Sequence, residues 1–112
     1  LIIKELHLEF IETSVFTKVI QDVMDDSVFA LLQEYLYYFP SAGKLIRGSG
    51  GLRKIRWKSS LRGKRGGLRV IYYWHKDNHQ ILFLYAYKKD KQADLTRLQL
   101  KQLKEIMRKS YG

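Results

Sequence analysis

Between residues 6 and 11 apolar and polar side chains alternate, with Leu6, Leu8 and Phe10 on one side and His7 and Glu9 on the other. That period of two predicts a strand with one buried face. The period then lengthens. Ser14 can cap a helix through its hydroxyl, and Val15, Phe16, Val19, Ile20, Val23 and Met24 behind it form one apolar stripe. Asp26 or Ser27 can cap a second helix, in which Val28, Leu31, Leu32, Tyr35, Leu36 and Phe39 recur at helical spacing until Pro40 ends it. The two segments predict a helical hairpin packed on a sheet, with Tyr37 and Tyr38 at the rim of the core rather than on a ligand platform.

From Lys44 onward the pattern is that of strands, punctuated by GSGG at 48–51 and RGKRGG at 62–67. Strands are expected at 44–47, 52–58, 68–75 and 80–87. In the second of these Lys54, Arg56 and Lys58 point to one face and Ile55 and Trp57 to the other. KDNH at 76–79 reads as a hairpin turn; with Asp77 and Asn78 at its centre, Arg69 is expected opposite Ala86 and on the same face as Lys88. ILFLYAY at 81–87 is apolar on both faces, as a central strand requires. TRLQ at 96–99 is a capping box, Leu95 and Leu100 form a hydrophobic staple, and Leu100, Leu103, Ile106 and Met107 make a buried stripe. Arg97, Lys101, Lys104 and Arg108 line another face of that helix, which reads as solvated. The expected architecture is one α+β domain over residues 1–112, with an antiparallel or mixed sheet, an N-terminal helical hairpin and a C-terminal helix. A hydrophobic fraction of 46% is enough for one packed core in 112 residues.

Charge sharpens this picture. The net charge is +10, but residues 1–39 carry −5, residues 40–91 carry +12 and residues 92–112 carry +3. No carboxylate occurs between Glu34 and Asp77, so eleven cations from Lys44 to Lys76 have no partner nearby in the sequence. They repel one another unless a polyanion neutralises them, and nucleic acid is favoured over a membrane because no basic amphipathic helix dominates. There are no cysteines, which excludes disulfides, zinc thiolates and cysteine nucleophiles and fits a reducing cytoplasm. LIIKEL lacks the basic lead and long apolar run of a signal peptide, and no stretch approaches the ~18 apolar residues of a membrane span, so a soluble protein is expected.

The same residues limit the chemistry. The basic half offers only Asp77 and Asp90 as carboxylates, too few to cluster around a metal, so no metal or other cofactor is expected. His75 and His79 flank a tight turn without a third ligand and are read as turn residues, and His7 as a solvent-facing one. GSGG and RGKRGG can cradle phosphate through backbone amides, but turns explain their glycines equally well. What remains is phosphate chemistry run by cations: activating a 2′-hydroxyl, stabilising an extra negative charge on phosphorus and protonating the departing 5′-oxygen. Crowding by Arg56 and Arg69 is expected to lower the pKa of Lys54 towards that of a base, arginine forks suit phosphate oxygens, and nearby Tyr and Trp can stack an unpaired base. The same set suits RNA binding without cleavage.

GSGGLRKIRWKSSLRGKRGGLRVIYYW followed by LFLYAYKKDKQADLT resembles the HigB-type toxins of the RelE superfamily, over about residues 28–110. The resemblance implies a RelE-like, microbial-RNase-like α+β fold and metal-independent cleavage of messenger RNA in the ribosomal A site. It also implies a HigA-like helix-turn-helix antitoxin, through which the complex reaches operator DNA. By position in the motifs it implies catalytic roles for Lys54, Arg56, Arg69, Tyr87 and Lys89. Arg53, Lys58, Arg62, Lys64, Arg65, Lys88 and Lys91 are expected to contact RNA or the ribosome. Lys89 stands where better-known RelE relatives carry arginine, and no tyrosine follows soon after it. Two alternatives stand beside this reading: a ParE-like inhibitor of DNA gyrase, and a basic nucleic-acid-binding module without catalysis.

Overall fold

The computed structural model describes residues 7–62 and 67–111. Along the chain run β1 (Glu9–Glu12), α1 (Ser14–Val23), α2 (Asp26–Tyr38), β2 (Lys44–Leu45), β3 (Leu52–Trp57), β4 (Leu68–His75), β5 (Gln80–Lys88) and α3 (Arg97–Tyr111). The five strands form one sheet in the order β1-β5-β4-β3-β2. β1 runs parallel to β5 and the other neighbours are antiparallel, so the sheet is mixed.

Strand alternation sends side chains to two cores. Ile55, Val70, Tyr72, Ile81 and Phe83 pack against Phe16, Ile20, Val28, Leu32 and Leu36 of the helical hairpin. On the opposite face Leu52, Ile71, Leu82 and Leu84 pack against Leu103 and Met107 of α3. Burying so many large apolar side chains on both faces, each contributing about 1.5–3 kcal/mol, is what holds the helices to the sheet.

Several element ends differ from expectation for local reasons. α1 is capped by Thr13 rather than Ser14: its hydroxyl accepts from the Phe16 amide at 3.2 Å and donates to the Phe83 carbonyl at 2.9 Å, which ties the helix start to β5. Asp25, not Asp26 or Ser27, precedes α2, and its side chain makes no cap bond. β1 starts at Glu9, and Leu6 lies outside the described residues. β2 has only two strand residues, shorter than the expected 44–47. Tyr37 and Tyr38 are 48% and 65% exposed, so they do not form a core rim. The GSGG segment is a loop joining β2 and β3. Gly50 and Gly51 adopt φ of 76° and 115°, which only glycine takes without strain, and the buried Ser49 hydroxyl accepts from the Leu52 amide at 2.9 Å.

The most consequential difference is a bulge. The β4–β5 pairing starts as expected, His75 opposite Gln80 and Tyr72 opposite Phe83, but then shifts so that Ile71 faces Tyr85. Leu84 and Tyr85, consecutive residues, both pack on the α3 side. Arg69 therefore faces Tyr87 instead of Ala86, and Lys88 faces Leu68 rather than sharing the face of Arg69.

Candidate nucleic-acid interface

α3 covers only part of its face of the sheet. Beyond it, Lys54 and Arg56 on β3, Arg69 on β4 and Tyr87 on β5 point to the same side as Leu52 and Ile71, because they lie two residues apart along each strand or directly opposite in register. Arg56 and Arg69 are direct cross-strand partners. Cβ atoms of such pairs lie about 5 Å apart, and like charges there destabilise a sheet, so the pairing has a cost that an anion between the two would remove.

The outer edge of β3 is also partly open, since β2 pairs only with Arg53 and Lys54. A groove of about 610 Å³ forms across this edge, lined by Tyr35, Ala42, Lys44, Lys54, Ile55, Arg56, Trp57, Arg69, Lys89 and Ala93. Five of its side chains are cationic and no carboxylate lines it. A second hollow of about 350 Å³ adjoins it and shares Lys44 and Lys54.

The cations in the groove differ in freedom. Arg56 is exposed. Arg69 is 7% exposed, and its Nη1 donates to the Leu68 carbonyl at 3.2 Å, so its guanidinium is held in place. Lys54 has a partner that sequence proximity did not reveal: its Nζ lies 3.2 Å from Oδ1 of Asp94, forty positions on. The ion pair removes the premise that Lys54 has only cations for neighbours.

Asp94 is a hub. Its Oδ1 also accepts from the Leu95 amide at 2.8 Å and from the Tyr87 hydroxyl at 3.4 Å. The Leu95 amide, with Lys54 and Tyr87 adding to it, holds the Asp94 carboxyl below its ordinary range despite some desolvation. Burial first, and then the Asp94 charge, push the Tyr87 phenol up to about 12. At neutral pH Tyr87 is a hydrogen-bond donor, not a base.

The other expected contact residues are scattered. Arg53 points to the opposite face and donates through Nη1 to the Ser41 and Gly43 carbonyls at 3.0 and 2.8 Å, pinning the loop before β2. Lys58 and Arg62 follow β3, with Arg62 exposed, and Lys88 and Lys91 are exposed beyond the bulge. Lys64 and Arg65 lie outside the described residues. His75 takes a structural role: its Nδ1 accepts from the Asn78 amide and its ring stacks on Tyr111 at 4.1 Å. Among the described residues no group of His, Asp and Glu is placed to hold a metal ion, and no helix is long and apolar enough to cross a membrane. Sequence reasoning missed Lys44, Tyr35 and Asp94. Only the aspartate had a local signal, standing just before the capping box.

A mixed five-stranded sheet clasped between a helical hairpin and a C-terminal helix, with a basic groove across its β3 edge, makes this an α+β protein. Residues 45–111 match the family model described as the RelE toxin of the RelE/RelB toxin–antitoxin system, and the chain belongs to that family. The solved structure of an arginine-to-alanine double mutant of E. coli toxin RelE in the free state has the same fold. It aligns with a TM-score of 0.57 at 13% identity, covering 91% of this chain and 98% of that one.

Proposed function

We propose that this RelE-family toxin is an endoribonuclease of HigB type that cleaves messenger RNA in the ribosomal A site without a metal. The observation that carries the reading is the Arg56–Arg69 cross-strand pair in a groove lined with three further cations and no carboxylate. In this reading the two guanidiniums grip the non-bridging phosphate oxygens and stabilise the charge that builds as the 2′-hydroxyl gives its proton to solvent water, the 2′-oxygen bonds to phosphorus and the bond to the 5′-oxygen breaks. Tyr87 would turn its hydroxyl from Asp94 to donate to the same centre, while Lys54 and Lys89 supply positive charge, and Lys54 can deliver a proton to the departing oxygen. Lys44 extends the basic wall. Of the surface cations, Lys58, Arg62, Lys88 and Lys91 remain available for ribosomal RNA. The partner is a HigA-like helix-turn-helix antitoxin that contacts operator DNA, and the site of action is the cytoplasm.

Induced expression followed by primer extension of cellular transcripts tests this. New 5′ ends within translated codons are expected, and Arg56→Ala, an exposed change that leaves the cores intact, should lower cleavage about 100-fold or more without lowering Tm, since it relieves the like-charge pairing with Arg69. DNA-damage signalling without transcript cleavage would instead mark a ParE-like gyrase inhibitor. Growth inhibition with neither would leave a binding module.

A further inference from the structure

α2 carries an aromatic stripe that its core does not use. Tyr35 and Phe39 continue the helical spacing of the buried Val28, Leu32 and Leu36, yet they are 41% and 57% exposed. Their rings lie 5.2 Å apart, and Tyr35 lies 5.6 Å from Trp57. Trp57 is fixed from behind, since its Nε1 donates to the Val28 carbonyl at 3.0 Å and its ring packs on the hairpin core. Tyr35 and Trp57 both line the groove that holds Arg56 and Arg69. Aromatic rings tilted by 41–45° to one another, lining the same groove as Arg56 and Arg69, match single-stranded RNA, which offers flat bases on a phosphate chain.

We propose that Tyr35 and Trp57 form a base subsite, in which an unpaired nucleobase stacks on the Tyr35 ring with the tilted Trp57 ring against its edge while its phosphate meets Arg56 and Arg69, with Phe39 bracing Tyr35 from outside. The inference rests on the ribonuclease reading and deepens it: these aromatics, rather than the arginines, set where along the RNA the phosphate is presented. A protein segment that used this wall would need acidic residues to satisfy the same cavity, whereas RNA brings base and charge together at a fixed spacing.

Cleavage of one ribosome-bound messenger RNA, with kcat and KM measured for four proteins of matched Tm, tests the subsite. Relative to wild type, Tyr35→Ala should lower kcat/KM about tenfold and spread the cleaved positions, Tyr35→Phe should stay near wild type, and Tyr38→Ala, an aromatic outside the groove, should not differ. Unchanged kcat/KM and unchanged cleavage positions for Tyr35→Ala overturn the proposal, as does an equal loss for Tyr35→Phe, which would point to the hydroxyl instead of stacking. Should wild type leave the message intact, the ribonuclease reading falls. The subsite is then judged by binding of a six-nucleotide single-stranded RNA against an abasic ribose-phosphate chain of the same length. About tenfold tighter binding of the RNA, lost in Tyr35→Ala, retains it; equal binding overturns it. Loss of binding to the cognate antitoxin in Tyr35→Ala with RNA cleavage intact reassigns the wall to protein recognition and overturns it too.

Discussion

Tyr87 illustrates how one position acquires its character from neighbours that are distant in the chain. It is 4% exposed, opposite Arg69 and hydrogen-bonded to Asp94, and its phenol is pushed up to about 12. An unfolded tyrosine titrates near 10. Below pH 10 folded and unfolded chains both hold the proton, so Tyr87 does not tilt the balance there. Between pH 10 and about 12 only the unfolded chain releases it, and stability falls as pH rises through that window. Tyr87→Phe should therefore soften the alkaline loss, seen as a smaller drop in urea midpoint from pH 9 to pH 11.5 than in wild type. An equal drop in both would mean that the phenol is not held as the structure places it. At this scale the sequence offers candidate cations but not their states. That Arg69 would be buried and Lys54 paired depends on tertiary neighbours such as Asp94, which no local pattern connects to them.

Elements were legible where a single chemical signal sets them. The capping box of α3 forms as TRLQ implies, with the Thr96 hydroxyl accepting from the Gln99 amide and the Gln99 side chain accepting from the Thr96 amide, each at 3.0 Å. Strand spans from period two were nearly right, and 68–75 matches β4. The bulge was not legible because ILFLYAY is apolar at every position, so a one-residue slip costs no burial and alternation cannot reveal it. Yet that slip puts Tyr87 rather than Ala86 opposite Arg69. The start of α1 shows the opposite case, in which two adjacent hydroxyl residues compete as cap and long-range pairing decides. Thr13 wins because it also bonds the Phe83 carbonyl. Thr13→Ala should thus cost about 1–2 kcal/mol by denaturant unfolding, while Ser14→Ala should cost only a few tenths. Equal effects would mean that the cap is shared.

For the molecule as a whole, the segregation of charge is plain in the sequence, and the fold turns a stretch of sequence into a surface. β3 and β4 bring Arg56 and Arg69 face to face, the hairpin adds Tyr35, and the chain after β5 adds Lys89. Trp57 reaches this groove from β3 beside Arg56, but Tyr35 comes from α2, a placement that the linear pattern does not reveal. The grouping makes a quantitative claim about RNA. Each phosphate neutralised on a single strand contributes about −0.7 to the slope of log affinity against log salt. If Arg56, Arg69 and Lys54 each neutralise one, the slope is about −2, and affinity for a short single-stranded RNA should fall roughly 20-fold between 50 and 200 mM salt. Arg56→Ala should make the slope shallower by about 0.7, whereas Arg108→Ala, whose guanidinium pairs with Glu105 on the far helix, should shift neither slope nor affinity. Fluorescence titrations at four salt concentrations separate the cases. A slope that Arg108→Ala reduces as much as Arg56→Ala would mean that the net charge of +10 acts as a diffuse field, with the paired arginines holding no phosphate of their own.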